Sequence, residues 1–106
     1  MKADLLPDAV RKQLPPLYST EEQEAALAIV HWWSPYSSWH WYASEFDGGN
    51  LFFGFVKGWE LEYGYFSLAE FQEVQDKFYL GIVRDETWQP VPLREIEAQW
   101  RQQGCQ

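Results

Sequence analysis

The chain has 106 residues and a formal net charge of −8, from sixteen acidic and eight basic side chains. This length predicts a single domain over residues 1–106, with flexible ends at 1–4 and 104–106. The negative charge repels nucleic-acid phosphates and anionic membrane surfaces, so we expect no direct binding to DNA, RNA or membranes.

The only cysteine, Cys105, lies next to last in the chain. A single cysteine excludes an intrachain disulfide, a cysteine-rich zinc site and a redox pair. The sequence shows neither an apolar run of signal-peptide length at its start nor a stretch that approaches a membrane span. We therefore expect a cytoplasmic protein without a bound metal or cofactor.

The first predicted element is a helix over residues 4–14, where apolar residues recur at helical spacing. Pro7 falls early in this helix, where a missing N–H is tolerated, and the Pro15-Pro16 pair ends it. The polar residues 19–24 predict a loop. Residues 26–33 are apolar and partly β-branched, which predicts a mostly buried strand.

Three more strands are predicted at residues 39–46, 51–57 and 59–66. They are separated by a hairpin loop at 34–38, a glycine-rich turn at 47–50 and a turn at Gly58. The four strands together predict an antiparallel meander.

The last of these strands has two different faces. Trp59, Leu61 and Tyr63 alternate with Glu60 and Glu62. Since successive strand residues point to opposite sides, we expect the rings to face the core and the two carboxylates to face outward.

Two further helices complete the predicted fold. Ser67 and Glu70 have the spacing of a capping box, and apolar residues follow at helical spacing: Leu68, Phe71, Val74 and Phe78. A short strand is predicted at 81–84, a loop at 87–92 and a terminal helix from Pro92 to about Gln103. The fold class is α+β: an antiparallel meander of about four strands with an N-terminal helix, a helix after the last meander strand and a C-terminal helix.

Aromatic residues make up 19% of the chain and crowd between residues 31 and 66. Large rings favour a well-packed core, but rings that the helices leave uncovered would mark a partner site. The rings for which this question arises are Trp32, Trp39, Trp41, Tyr63 and Tyr65.

Two carboxylates near the end of the second strand give the sharpest enzymatic hypothesis. Glu45 and Asp47 are two residues apart, so they could point the same way about 6–7 Å apart, close to the separation of paired glycosidase carboxylates. Trp39 and Trp41 would share that face and stack on a sugar. The competing interpretation, which we favour, makes Asp47 a turn residue, Glu45 a solvated strand end and the tryptophans core.

The two histidines, His31 and His40, form a weaker pattern. Whether they share a face depends on the hairpin register, which a slip of one residue would reverse. Hydrogen-bonded sheet residues are the favoured interpretation, over a metal site or a general base. The serines at 37 and 38 lack the glycine-flanked elbow of a nucleophile.

Several blocks of the sequence resemble a known family. They are Leu14 to Glu21, Ser37 to Asp47, Phe52 to Gly58, Glu62 to Glu70, Arg84 to Glu86 and Pro90 to Ile96. Their order and spacing resemble the domain-of-unknown-function family numbered 2958, small proteins of bacteria and of their plasmids and phages. The resemblance extends from about Leu5 to Ile96; it implies one compact domain and carries over no activity or site residue.

Two functions remain open at this point. The favoured one is a non-enzymatic interaction module whose acidic, aromatic surface, with Glu60 and Glu62, binds another protein. The negative charge favours a basic partner, such as a protein that handles nucleic acid or acts in defence. The occurrence of the resembled family on plasmids and phages favours an inhibitor that imitates nucleic acid. The alternative is a small-molecule or carbohydrate site, with hydrolysis as one outcome, at Trp39, Trp41, Glu45 and Asp47.

Overall fold

The computed structural model describes residues 4–20, 26–78 and 81–103. Three predicted segments lie wholly or partly outside the described residues. They are the flexible end at 104–106, most of the flexible end at 1–4, and residues 21–24 of the loop predicted at 19–24. The elements are α1 (Asp8–Arg11), β1 (Leu27–Ala28), β2 (Val30–Trp33), β3 (His40–Phe46), β4 (Leu51–Lys57), β5 (Leu61–Ser67), α2 (Leu68–Lys77), β6 (Val83–Arg84), β7 (Val91–Pro92) and α3 (Leu93–Gln102).

The main sheet is antiparallel, with the strand order β5-β4-β3-β2-β6. Strands β2 to β5 follow one another as neighbours, which confirms the predicted meander and the α+β class. Strand β6 adds a fifth strand, because Val83 and Arg84 pair with Trp33 and Trp32 at the free edge of β2. This edge pairing brings residues near 85 to the start of the sheet.

The predicted strand over residues 26–33 is two strands. Val30–Trp33 joins the main sheet, whereas Leu27–Ala28 pairs with Val91–Pro92 in a separate two-stranded sheet. Proline has no N–H to donate, which limits this pairing to a short ladder ahead of α3. Between the two strands, the Ile29 N–H still donates to the Ala43 carbonyl at 2.8 Å.

Helices cover both faces of the sheet, and each face has its own core. The α2 face packs around Trp32 and Phe52 and includes Leu68 and Phe71 of the helix. The α3 face packs around Tyr42 and Phe55 with Leu93 and Ile96. Trp41 belongs to the first core and Tyr42 to the second, as expected for neighbouring strand residues.

A β-bulge divides β3 between Ala43 and Glu45, where the register against β4 shifts by one residue. Gly54 lies opposite this point, and a Cβ atom there would overlap the Tyr42 carbonyl. The extra residue reverses the alternation: Glu45 is opposite Phe53 on the α3 side, and Phe46 packs in the α2-face core. The carbohydrate hypothesis requires Glu45 to share a face with Trp41, and the bulge places the two residues on opposite faces.

The N-terminal helix is shorter than predicted. Only Asp8–Arg11 is helical, and turns follow to Gln13. The Pro15-Pro16 pair prevents the helix from continuing through Leu14, since the residue before a proline disfavours the helical conformation. Leu5 and Leu6, expected within the helix, precede it and are buried in the α2-face core.

Helix α2 begins as predicted. The Ser67 hydroxyl accepts a hydrogen bond from the Glu70 N–H at 3.0 Å, and Leu68 and Phe71 are buried. Its second half differs from the prediction, because Val74 is 38% exposed and Phe78 is 61% exposed. The helix therefore extends beyond the part of the sheet that it covers.

The last meander strand starts later than predicted, at Leu61. Trp59 lies in the preceding turn, which the Gly58 N–H closes on the Glu60 carbonyl, and it is 86% exposed instead of core-directed. Pro92 ends β7 and precedes α3 instead of starting it. Within the described residues, no helix is long and apolar enough to cross a membrane.

Candidate binding groove

A groove of about 540 Å³ lies on the α2 face of the sheet. Its floor follows one register row across three strands, in which Glu62 of β5 is opposite Val56 of β4, and Val56 is opposite Trp41 of β3. Glu70 and Phe71 of α2 line one side of it, and Trp39 also contributes. We call this site the acidic groove and define it by Trp39, Trp41, Val56, Glu62, Glu70 and Phe71.

Aromatic contacts hold the acidic groove in shape. The Trp41 ring lies 5.2 Å from the Phe71 ring and 5.9 Å from the Trp39 ring, measured between centroids. Trp39 in turn contacts the exposed Trp59 at 6.2 Å. Gly58 has no Cβ, and the Trp39 ring occupies the space that one would fill. Rings packed against one another in this way form a binding surface that needs little ordering when a ligand arrives.

A second, apolar cavity of about 350 Å³ continues from the first. The two cavities share Ser34, Val74 and Gly81, and the second adds Tyr36 and Phe78. We call these five residues the apolar extension. It exists because Val74 and Phe78 continue the apolar stripe of α2 past the edge of the core, where no described strand covers them.

The acidic groove carries negative charge at one end. Glu62 and Glu70 are both exposed carboxylates, and among the described lining residues there is no lysine or arginine. Glu60 lies outside the groove, in the turn before β5, although its side chain is exposed as well. Glu60 and Glu62 were both predicted on the outward face of the last strand, and the structure places only Glu62 in the acidic groove.

Glu45 holds the N-terminal loop and takes no part in the groove. Its side chain is buried, so the favoured interpretation of Glu45 as a solvated strand end was wrong. Its two oxygens accept hydrogen bonds from the Tyr18 N–H at 2.8 Å, from the Thr20 N–H at 2.9 Å and from the Thr20 hydroxyl. Tyr18 adopts a left-handed backbone with a φ of 68°, a conformation that these bonds help to fix.

Asp47 holds the glycine-rich turn. One carboxylate oxygen accepts hydrogen bonds from the N–H groups of Gly49, Asn50 and Leu51, and these bonds lower the pKa of the carboxyl. Glu45 and Asp47 thus bind two different segments, and neither is among the residues that line the acidic groove. The four residues of the carbohydrate hypothesis do not meet at one surface.

The two histidines do share a face, on the α3 side of the sheet. His31 Nε2 lies 2.9 Å from His40 Nδ1, and His31 Nδ1 lies 3.2 Å from a carboxylate oxygen of Asp85. An ionised carboxylate only accepts, so His31 donates to Asp85 through Nδ1 and accepts from His40 through Nε2. The His31 ring stacks on Tyr42 at 4.5 Å, which encloses the cluster.

Burial lowers the pKa values of both histidines. For His31, burial outweighs the hydrogen bond and charge of Asp85, which act in the opposite direction. For His40, burial together with the charges of His31 and Lys57 lowers the pKa to about 4. The pKa of Asp85 falls as well, because hydrogen bonds from His31 and Thr87 outweigh its desolvation. The cluster is a line of hydrogen bonds, and in the described residues no group of three or more His, Cys, Asp or Glu side chains is arranged to hold a metal ion.

Lys57 is a buried cation opposite His40 in the sheet. Its ammonium group donates to the Ser38 carbonyl at 3.0 Å and contacts the Ser38 hydroxyl at 3.1 Å, and it lies 5.3 Å from the centre of the Trp100 ring. These contacts fasten the β2–β3 loop to the sheet. Sequence patterns contain no signal for this lysine or for Asp85, because both sets of contacts depend on long-range pairing.

The fold and the groove define a small α+β domain with an acidic, aromatic surface on one side of its sheet. The chain matches the family described as "Protein of unknown function (DUF2958)" over residues 5–102, nearly its whole length, and it belongs to this family. Comparisons with curated proteins and with solved structures gave no match.

Proposed function

We propose that this protein is a non-enzymatic interaction module that binds a basic protein through the acidic groove. The observation that carries the proposal is the combination, in one groove, of the Trp39 and Trp41 rings with the exposed carboxylates of Glu62 and Glu70. A few residues supply most of the binding energy in protein interfaces, and tryptophan is enriched among them; charges at the rim select the partner and speed its approach.

A protein fits this surface better than a small molecule does. Ligand sites for small molecules enclose most of their ligand, whereas this groove is open and continues into the apolar extension. Tyr36 is 74% exposed and Phe78 is 61% exposed. An uncovered apolar patch of this kind is typical of a protein-binding surface.

The charge favours a basic partner. The net charge of −8 attracts cations over long distances, and Glu62 and Glu70 provide acceptors within the groove. Basic surfaces are common on proteins that bind nucleic acids, so regulation or inhibition of such a protein is the biological role that we propose.

Affinity capture from the native host tests this proposal. Three baits are compared: the parent, the groove variant Glu62→Lys with Glu70→Lys, and the control variant Glu86→Lys with Glu95→Lys. The control changes the net charge equally at exposed positions outside the groove. We expect a basic protein that the parent and the control bait retain and the groove variant loses.

The same purified partner then gives the rate of association. Because rim charges act mainly on this rate, the groove variant should associate at least about tenfold more slowly at low ionic strength, with a smaller difference at high salt. Glu60→Lys, two residues from Glu62 but outside the groove, should have a smaller effect than Glu62→Lys. If all three baits retain the same proteins equally, the acidic groove is not the binding surface.

A further inference from the structure

The acidic groove and the apolar extension form one continuous channel with opposite chemical character at its two ends. The acidic end has Glu62 and Glu70, whereas the apolar extension has Val74, Phe78 and Tyr36 and, among the lining residues that the structure describes, no charged side chain. A channel with this polarity fits a ligand in only one direction, because reversing the ligand would bury a cation among apolar groups.

The length of this channel follows from two independent features of the fold. Glu70 in α2 precedes Phe78, the residue just after the helix, by eight positions, which corresponds to about 12 Å at the helical rise. Across the sheet, the row from Glu62 on β5 through Val56 and Trp41 reaches β2 after three strand spacings, or about 14 Å, and Ser34 of the apolar extension follows directly after β2. Both estimates give the separation between the acidic and the apolar end.

The chemistry of the acidic end favours arginine over lysine. A guanidinium group can bind a carboxylate with two parallel hydrogen bonds and can stack on an aromatic ring at the same time. Trp39 and Trp41 lie in the same groove as Glu62 and Glu70, so both kinds of contact are available to one side chain.

From these observations we infer that the occupant is a peptide segment of a partner protein with an arginine and a large apolar side chain about 12–14 Å apart. Arginine binds at Glu62 and Glu70, and the apolar side chain binds at Val74 and Phe78. An extended segment covers this distance in about four residues and a helical one in about eight. The inference rests on the proposed function, since it names what the groove recognises.

A displayed library of random twelve-residue peptides tests the inference even before the partner is identified. The library is selected on the parent protein and depleted on the Glu62→Lys, Glu70→Lys variant. We expect enriched peptides with arginine four or eight positions from Phe, Trp, Leu, Ile or Met. A synthetic peptide with an enriched sequence should bind the Glu70→Lys and Val74→Arg variants about tenfold more weakly than the parent. Moving its arginine to two positions from the apolar residue should weaken its binding to the parent by a similar factor.

The outcomes separate this inference from the proposed function. Enriched peptides without a basic residue, or with no fixed spacing, that still lose affinity for Val74→Arg would overturn the inference and leave the groove as a binding site. Peptides that lose affinity for Glu70→Lys but bind Val74→Arg as they bind the parent would overturn the inference and leave the acidic groove as a binding site. Peptides that bind the parent, Glu70→Lys and Val74→Arg equally bind elsewhere and would overturn the inference, and partner capture then decides the proposed function. If no peptide is enriched, the linear segment is rejected, and partner capture alone decides the proposed function.

Discussion

The histidine cluster makes protein stability depend on pH in a defined window. His40 has a pKa of about 4 in the folded protein against an ordinary value of 6.5. Between these two values the unfolded chain binds a proton that the folded chain does not bind. The contribution of neutral His40 to stability is therefore complete above about pH 6.5 and is lost as the pH falls toward 4.

The magnitude follows from the two pKa values. At about 1.4 kcal/mol per pH unit, the full difference corresponds to about 3 kcal/mol. The His40 ring is only half-buried, so solvent screening reduces the expected loss to about 1–2 kcal/mol. Two charged groups lie near the His40 ring. Asp85 acts on it indirectly, through its hydrogen bond with His31, and Lys57 lies directly opposite in the sheet. Lys57 adds to the cost of a second cation, whereas Asp85 partly offsets it.

The comparison of the parent with His40→Gln isolates this contribution. Urea unfolding followed by circular dichroism gives the free energy of unfolding of both proteins at several values between about pH 7.5 and 4.5. Contributions from the carboxylates are common to both proteins and cancel in the difference. The parent should lose about 1–2 kcal/mol more than the variant over this range. Equal losses in the two proteins would refute the assignment of His40 as a neutral, enclosed imidazole.

Three predictions on stability follow from the packing. Phe71→Ala should lower the free energy of unfolding by about 3–5 kcal/mol, because Phe71 is buried between Trp32 and Trp41. Phe78→Ala, at an exposed position on the same apolar stripe, should lower it by less than about 1 kcal/mol. Similar losses for the two variants would show that α2 packs differently. Ser67→Ala should cost about 1 kcal/mol through loss of the cap, and unchanged stability would show that the cap contributes nothing. Glu45→Gln should lower the free energy of unfolding by about 1.5–3 kcal/mol, because the NH₂ group of glutamine cannot accept a hydrogen bond from the N-terminal loop. Thermal unfolding that matches the parent would contradict the role of Glu45 in holding this loop.

Local sequence patterns predicted most of the fold because the signals were local. Glycines and Asn50 marked the turn between β3 and β4, alternation marked the strands, and Ser67 with Glu70 marked the start of α2. The bulge at residue 44 left no trace in the alternation, because Glu45 and Phe46 are compatible with either face. The feature that accompanies it, the close approach of the two backbones at Gly54, involves another strand.

The candidate site was predictable only in part. Trp39, Trp41 and Glu62 were identified from the sequence, but Glu70 was considered only as part of a helix cap. Val74 has the spacing of a core residue, and its exposure depends on where the sheet ends beneath α2. A helical pattern cannot show the limits of the surface on which the helix packs, and so it could not reveal the groove.

The tryptophan side chains provide the most direct test of the central claim that the partner binds in the acidic groove. Trp39 and Trp41 line the groove, whereas the indole N–H groups of Trp88 and Trp100 donate to the Ala28 carbonyl and the Tyr42 hydroxyl on the α3 side. A binding segment of the captured partner is titrated into protein labelled with ¹⁵N at tryptophan, and the indole signals are followed by NMR. The signals of Trp39 and Trp41 should shift with partner concentration while those of Trp88 and Trp100 stay in place. Shifts confined to Trp88 and Trp100 would contradict the claim and place the binding surface on the opposite face of the sheet.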